Sequence, residues 1–385
     1  MLDYSSLQSI FDAYRTEDLS NRYITNNHIE LVLKKVSKNF DVATIGYSVN
    51  GLPIYGIQLG NGQKRILMWS QMHGNESTTT KACFDLLNYL EKNNKTLEAC
   101  TLYIIPILNP DGAKAYTRLN ANGVDLNRDA QDLTQPESVV LKNIFESFKP
   151  NFCFNLHGQR TIFTAGTVNK PATVSFLAPA QDEQCTVTNS RKVAMEIIVA
   201  MNNMLQNIIP NSVGIYDDAF NINCVGDTFQ SKNVPTVLFE AGHYKDDYTR
   251  EKVRYFIFSS LLVAIDAICN KEKLGTEYEA YFDIPMNDKL FYDIIIRNSK
   301  VLVASEEKTL DLAIQYDEVL IGGKIDFIPK IKDFGKLSKY FGHKEIDARN
   351  QNVILGDNES LQSKNAIDFV TINNELFSLK LVNNH

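Results

Sequence analysis

The sequence lacks a strong excess of charge of either sign. Its 385 residues carry 39 Lys and Arg against 46 Asp and Glu, which gives a net charge of −7. Proteins that bind nucleic acid or an anionic membrane usually carry a basic patch, and this composition gives no sign of one. We therefore expect neither among the partners. The 44% hydrophobic content excludes a disordered chain.

The sequence also lacks paired cysteines, a signal-peptide pattern and a long uninterrupted apolar run. Residues 1–19 show no apolar core followed by small residues, so we expect no signal peptide. The run from Tyr255 to Ile268 is interrupted by Ser259 and Asp266, which predicts that it is too short and polar to span a bilayer. A cytoplasmic enzyme is the expectation. Six cysteines without a C-x-x-C pair exclude a disulfide framework: Cys83, Cys100, Cys153, Cys185, Cys224 and Cys269.

The first two-thirds of the chain alternates strand and helix patterns. Alternation of this kind predicts an α/β fold with a mostly parallel or mixed, doubly wound sheet. Ligands of such folds bind at the carboxyl ends of the strands. The predicted strands are 65–71, 101–108, 152–157 and 235–240, and the predicted helices are 77–91, 136–149, 189–208 and 247–268.

The pattern changes after Lys271. Three later stretches, 289–304, 312–328 and 366–382, are typical of β-hairpins. We predict two domains, 1–272 and 280–385, of which the second is smaller and β-rich and has no evident role.

The first candidate site residues are His73, Glu76 and His157. His73 and Glu76 follow a buried strand, and His157 ends another, so all three are expected at one edge of the sheet. Two His and one Glu form a ligand set of catalytic zinc, with a fourth position left to water. Taken singly, H-x-x-E is also compatible with a helix-entry turn, and His157 with a hydrogen-bonded core histidine.

Two arginines and an asparagine follow the next strand. Asn109-Pro110-Asp111-Gly112 predicts a turn, and Arg118 and the run Asn127-Arg128 come after it. An Arg beside a catalytic zinc can stabilise an oxyanion, and a second Arg beside an Asn can bind a carboxylate. A surface ion pair is the alternative for each arginine.

Glu240 ends the strand 235–240 after an apolar run. A carboxylate at that position points to the strand-end crevice, where it could take a proton from a water molecule beside a metal. A buried structural Glu paired with one of the arginines is the alternative.

Together these motifs resemble the zinc carboxypeptidase (M14-type) family over about residues 45–268. The resemblance depends on their order: HGNE at 73–76, NPDG at 109–112, Arg118, GVDLNRD at 123–129, QPES at 135–138, NLHG at 155–158 and VLFEAG at 237–242. It implies a catalytic domain at 1–272 that holds one Zn²⁺ on His73, Glu76 and His157. It also implies that Glu240 is the general base, that Arg118 binds the oxyanion, and that Asn127 and Arg128 bind the terminal carboxylate of the substrate.

The resemblance further implies a mobile tyrosine over the cleaved residue, for which Tyr216 is the match. Digestive members have a Ser-Tyr pair where this chain has Gly158 and Gln159. Asp227 lies in the stretch that sets specificity in the family, and it could face a basic side chain or be structural. The compact spacing resembles bacterial cytoplasmic members.

We therefore predict a zinc metallo-carboxypeptidase that hydrolyses the C-terminal bond of peptides with a free carboxylate. One alternative is a zinc amidase or deacylase that acts on N-acyl amino acids or γ-D-Glu-linked cell-wall peptides, because related deacylases share H-x-x-E and D-L-N-R and append a β-rich domain. A remote alternative is an inactive binding module. Co, Mn or Fe could occupy the same ligands as zinc, and the sequence does not indicate the oligomeric state.

Overall fold

The computed structural model describes residues 3–303, 306–356, 361 and 365–381. The chain divides into two compact units. The first comprises Met1–Arg160 and Ala172–Asn287, and the second comprises Thr161–Pro171 and Asp288–His385. The domain prediction placed its boundary near the last of the breaks between these segments, which follows Asn287. It did not foresee that residues 161–171 join the second unit, because a short segment of this kind has no distinguishing composition.

The first unit contains helices along its whole length. They are α1 (Leu7–Tyr14), α2 (Asn26–Val36), α3 (Thr78–Lys92), α4 (Lys95–Ala99), α5 (Pro110–Ala115), α6 (Pro136–Phe148), α7 (Asn189–Gln206), α8 (Val225–Ser231) and α9 (Glu251–Asn270), with 3₁₀ turns at Tyr4–Ser6, Leu126–Arg128 and Glu279–Asp283.

The same unit is built on an eight-stranded mixed sheet. Its strands are β1 (Asp41–Tyr47), β2 (Pro53–Gly60), β3 (Lys64–Ser70), β4 (Cys100–Ile105), β5 (Phe152–Gly158), β7 (Val174–Leu177), β8 (Val213–Ile215) and β9 (Thr236–Ala241). Two short strands that occur between or after these in the chain, β6 (Thr164–Ala165) and β10 (Asn287–Asp288), are not part of this sheet. The sheet order is β1-β2-β4-β3-β5-β9-β7-β8. Its centre, from β4 through β3 and β5 to β9, is parallel, so these strands all end at the same edge.

Helices cover both faces of this sheet. Alternate residues of the central strands point to opposite faces, so Ile66 and Met68 pack with α3, α7 and α9, whereas Leu67 and Trp69 pack with α6 and α8. The predicted fold class, a mixed doubly wound α/β sheet with a β-rich second part, is therefore confirmed.

Three of the four predicted strands and three of the four predicted helices form within two residues of their predicted ends, and β4 ends at Ile105, three residues before its predicted end. The last helix, α9, begins at Glu251 rather than near 247, because the Asp247 carboxylate accepts hydrogen bonds from the backbone of Glu251 and Val253 and ends the preceding loop. β1 was not predicted, because it is mostly exposed and lacks an apolar pattern. β2 and the short strands β7 and β8 were not predicted either.

One helix among the described residues, α9, is long and apolar enough to cross a membrane by length and composition. The sequence-based expectation that this run is too short and polar was therefore wrong on that criterion. Because 83% of its apolar window is buried inside the protein, α9 is a core helix of the first unit.

The second unit is β-rich, as predicted. Its strands are β11 (Phe291–Val303), β12 (Glu306–Ile321), β13 (Lys324–Gly335), β14 (Phe341–Asp347), β15 (Val353–Leu355), β16 (Phe369–Ile372) and β17 (Glu375–Ser378), in a four-stranded sheet ordered β13-β12-β11-β14 and a three-stranded sheet ordered β15-β16-β17. The first two sequence stretches that predicted hairpins lie on β11, β12 and the start of β13, and the third on β16 and β17. Their ends at Ala304 and Val382 lie outside the described residues.

Candidate metal centre

The two histidines and the glutamate predicted as metal ligands lie together at the carboxyl edge of the central sheet. One potential ligand atom from each of His73, Glu76 and His157 lies within 4.8 Å of the others. His73 and Glu76 occupy the turn after β3, and His157 lies near the end of the adjacent strand β5. Parallel pairing of β3 with β5 brings these two strand ends together.

The contacts within this cluster suit a cation. Glu76 places Oε1 3.0 Å from Nδ1 of His73 and Oε2 2.9 Å from Nδ1 of His157. The two Nδ1 atoms are 3.1 Å apart. Two nitrogens bound at about 2.1 Å to one tetrahedral zinc would stand about 3.4 Å apart, so the observed spacing fits. Both histidines are 2% exposed, and a shared cation would satisfy lone pairs that otherwise face one another.

Asp125 fixes the orientation of His73, although it was not among the predicted site residues. Nε2 of His73 lies 2.9 Å from Oδ1 of Asp125. Donation of the Nε2 proton to this carboxylate leaves Nδ1 of His73 as the free ligand atom. The sequence signal was its place in the GVDLNRD run, but 52 residues separate it from its partner.

Arg118 is held beside the cluster by the same carboxylate. Its Nε and Nη2 donate to Oδ2 of Asp125 at 3.1 and 3.0 Å, and Nη1 lies 3.6 Å from Oε1 of Glu76. Burial alone raises the pKa of Asp125, but the contacts with His73 and Arg118 outweigh it and bring the pKa below its ordinary value. The negative charge of Asp125 therefore lies between the potential zinc ligand His73 and the guanidinium of Arg118, whose side chain is 47% exposed.

Glu240 lies on β9 directly opposite His157 of β5 in the parallel ladder. It is partly buried, and its Oε2 atom has no hydrogen-bond partner among the described residues. Burial and then the negative charge of Glu76 raise the pKa of Glu240 well above its ordinary value, although Arg118 and Arg250 act against this shift. Such a carboxyl group is suited to exchanging a proton.

Asn127 and Arg128 lie in the 3₁₀ turn that follows Asp125. The backbone N–H of Val225 donates to Oδ1 of Asn127 at 3.0 Å, and Nη1 of Arg128 donates to the Asn127 carbonyl at 2.7 Å and to Sγ of Cys224 at 3.1 Å. Arg128 is exposed and has no ion pair among the described residues. Its guanidinium therefore keeps donors for an anionic group.

Tyr216 is tied to a residue where this chain departs from the digestive pattern. Its hydroxyl donates to Oε1 of Gln159 at 2.6 Å, while Nε2 of Gln159 donates to the Ala172 carbonyl at 2.6 Å and to Oγ of Ser175 at 3.1 Å. These contacts fix the orientation of the amide. In this conformation the Tyr216 hydroxyl is engaged within the protein.

The structure favours the structural alternative for Asp227, because it is 6% exposed and its Oδ2 accepts the backbone N–H of Asn221 at 3.1 Å.

A different polar group faces the site region. Asn155 lies on β5 two residues before His157, so its side chain is on the same face of the sheet. It is 1% exposed, and neither its amide oxygen nor its amide nitrogen has a hydrogen-bond partner among the described residues. A buried unpaired amide is costly unless a ligand contacts it.

Two further motifs hold the turn that carries His73 and Glu76 in place. NPDG forms the start of α5, where Oδ1 of Asn109 accepts the N–H of Gly112 at 2.8 Å and Nδ2 donates to the Met72 carbonyl at 3.2 Å. A Cβ atom on Gly74 would lie 1.9 Å from the carbonyl carbon of Gly112. Glycine at 74 therefore lets the turn that carries His73 and Glu76 rest directly on α5.

Residues 25–184 match the family described as zinc carboxypeptidase, peptidase M14. The chain contains a zinc carboxypeptidase domain. This confirms the predicted family. The match includes the His73–Glu76–His157 cluster, Arg118, Asn127 and Arg128, and it ends before Tyr216 and Glu240.

Individual proteins agree with this assignment. The Arabidopsis thaliana protein carboxypeptidase SOL1 is 30% identical to this chain in an alignment over 168 residues that covers 37% of this chain and 34% of that protein. The chain thus matches about a third of the length of this relative.

Solved structures support the fold of the domain. The carboxypeptidase A of Helicoverpa armigera has a TM-score of 0.54 at 16% identity and covers 70% of this chain and 80% of its own. A putative carboxypeptidase A from Shewanella denitrificans has a TM-score of 0.52 at 19% identity, with coverage of 62% and 68%.

Proposed function

We propose that this chain is a zinc-dependent carboxypeptidase that hydrolyses the last peptide bond of substrates with a free C-terminal carboxylate. One observation carries the proposal. The three potential zinc ligands converge at a strand edge, and Glu240, with an oxygen that has no partner among the described residues, lies on the adjacent strand opposite His157. Three protein ligands beside a proton-accepting carboxylate are the set that a hydrolytic zinc site requires.

Glu240 is proposed as the general base and then the general acid. A zinc ion held by His73, Glu76 and His157 would supply Lewis acidity, which lowers the pKa of a water molecule and polarises a carbonyl group. Glu240 would accept a proton from the attacking water and return it to the leaving amine. Its raised pKa favours the return step, because a carboxyl group that holds its proton near neutral pH can act as an acid there.

Arg118, Asn127 and Arg128 are proposed to bind the substrate. Asp125 holds the guanidinium of Arg118 close to Glu76, and Arg118 can donate hydrogen bonds to an oxyanion that forms at the carbonyl. Arg128 can donate two parallel hydrogen bonds to a terminal carboxylate. Tyr216 would contact the substrate only after its hydroxyl leaves Gln159.

The test compares matched substrates by mass spectrometry on zinc-loaded protein. The panel contains one peptide as the free acid and as the C-terminal amide, N-acyl amino acids, and γ-D-Glu-linked peptides. Release of one C-terminal residue from the free acid alone is the expected result. Arg128→Gln should raise KM for the free acid at least tenfold. The control, Arg65→Gln, lies at the opposite end of β3 and should leave KM unchanged.

Other outcomes would redirect or refute the proposal. Equal rates on acid and amide would show that Arg128 does not bind the terminal carboxylate. Cleavage of only acyl amino acids or γ-linked peptides would replace the carboxypeptidase with the amidase or deacylase. No turnover of any substrate by protein that holds one zinc per chain would contradict the proposed activity.

A further inference from the structure

A cavity of about 230 Å³ opens on the face of the sheet that α6 and α8 cover. Part of its wall is apolar and buried. It is formed by Leu108 after β4, by Leu126 in the 3₁₀ turn, by Leu141 and Phe145 of α6, and by Phe229 of α8. None of the three potential zinc ligands lines it, so it is separate from the candidate metal centre.

The size and the lining of this cavity suit a hydrocarbon group. An apolar protein cavity of about 150 Å³ is large enough to bind benzene and stays empty of water. This cavity is larger than that and is surrounded by leucine and phenylalanine side chains. Two of its polar groups are already engaged, because Nε2 of Gln131 donates to Oγ1 of Thr228 at 2.8 Å and that hydroxyl donates to the carbonyl of Ile222 at 2.5 Å. Oγ of Ser138, which also lines the cavity, has no hydrogen-bond partner among the described residues.

The edge of the cavity is positively charged. Lys142 and Lys232 both line it, and no Asp or Glu is among its described lining residues. Lys232 places its ammonium 5.8 Å from the centre of the Phe145 ring, and Lys142 lies one helical turn before Phe145 on α6. The only ion pair of Lys142 among the described residues is a partly exposed contact with Glu146 at 3.4 Å, which competes weakly with another anion.

We propose that this cavity binds an amphiphilic carboxylate with a medium-length hydrocarbon chain. The chain would fill the apolar interior, and the carboxylate would lie between Lys142 and Lys232 at the mouth. A neutral apolar molecule would leave the two ammonium groups unused. A peptide segment would find few partners for its backbone, because Gln131 and Thr228 already bond to each other and Ser138 is the one other uncharged polar side chain in the described lining.

The site adjoins the loop that carries Asn127. Leu126 and Val225 both line the cavity, and the N–H of Val225 holds the side chain of Asn127. An occupant therefore contacts the same two chain segments that position Asn127 and Arg128.

The protein contains a suitable optical reporter. Trp69 is its single tryptophan, and its ring meets the Phe229 ring edge-on with 5.4 Å between centroids. Phe229 also lines the cavity, so an occupant should change the emission of Trp69. Titration with octanoate, below its micellar range, should give a saturable change, and isothermal titration calorimetry should give the same Kd. Acetate, which lacks the hydrocarbon chain, should give none.

Charge variants at the mouth test the chemical class. Lys142→Gln and Lys232→Gln should each weaken octanoate binding about twofold to fivefold, and the double variant about tenfold, which is the range for partly exposed ion pairs. Octanol binding should change little and serves as the check that the cavity is intact. The matched control is Lys95→Gln on α4, which does not line the cavity.

A variant that fills the cavity tests the location. Ala130 lines it, and Ala130→Phe should abolish the response of Trp69 to octanoate and octanol alike. Three results would overturn the proposal. They are no saturable octanoate binding by the unmodified protein, equal octanoate affinity in the double lysine variant, or undiminished binding in Ala130→Phe.

Discussion

Replacing Asp125 by Asn should weaken zinc binding although Asp125 is not a proposed ligand. Its carboxylate accepts a hydrogen bond from Nε2 of His73 at 2.9 Å and two from Arg118 at 3.1 and 3.0 Å. An amide in its place loses the negative charge and can turn its NH₂ group toward His73, which would favour the wrong tautomer of the imidazole. Residues that orient metal ligands in this way typically contribute about tenfold to a hundredfold to metal affinity.

The expected loss corresponds to about 1.4–2.8 kcal/mol of zinc-binding free energy. We place it in the upper half of this range, because the substitution also releases Arg118, whose charge lies 3.6 Å from Oε1 of Glu76 and would then be free to approach that carboxylate. Competition with a chromophoric chelator measures the affinity directly and does not depend on turnover.

A neighbouring aspartate provides the control. Asp129 belongs to the same loop, but its carboxylate accepts hydrogen bonds from Thr134 and Gln135 and does not contact the cluster. Asp129→Asn should lower stability yet change zinc affinity less than threefold. Equal zinc affinities for the Asp125 and Asp129 variants would refute the proposed role of Asp125.

Three other predictions test the chemistry and the fold. Glu240→Gln should bind zinc normally and lose turnover, whereas His157→Ala should lose both, as metal analysis and peptide assays would show; metal loss in the Glu240 variant would contradict its role as the base. Asp85→Asn removes the buried carboxylate that the guanidinium of Arg254 contacts at 2.6 Å and leaves it with Glu251 at 3.1 Å, so urea unfolding should show a loss of about 3 kcal/mol, the lower end for a broken buried ion pair. Burial raises the pKa of Asp227 to about 6, so the folded protein binds this proton more tightly than the unfolded chain, and this contribution to stability is lost as the pH rises from about 4 to about 6. Asp227→Asn should therefore be more stable than the parent protein at pH 7, by about 1–3 kcal/mol, but not at pH 4; equal differences in thermal melts would refute this.

The parts of the fold that sequence patterns predicted are those with strong local signals. β3, β4 and β5 are apolar runs bounded by turn residues, and such a run is enough to predict a buried strand at that position in the chain. β1 escaped prediction because most of its side chains face solvent, so its pairing with β2 depends on backbone contacts that leave no apolar pattern.

Contacts between distant residues were beyond the reach of these patterns. The three potential ligands were predictable because each lies at or just after the end of a buried strand, and parallel strands end at one edge. The Asp125–His73 contact was not, since Asp125 lies in an irregular loop whose path no local pattern specifies. The same holds for Tyr216, because its bond to Gln159 depends on how β5, β7 and β8 are ordered in the sheet.

The register of the sheet brings the proposed base, Glu240, next to residues that the family match covers. The match ends at residue 184, whereas Glu240 lies 56 positions later in the sequence. β9 pairs in parallel with β5 so that Glu240 stands opposite His157, and Ser175 of β7 stands opposite Glu240 on the other side. A shift of β9 by one residue would turn Glu240 to the other face of the sheet and bring Phe239 to the metal centre. The apolar residues Val237 and Phe239, both fully buried on the opposite face with α7 and α9, oppose that shift. The position of the candidate base is therefore fixed by the packing of the core on the far side of the sheet.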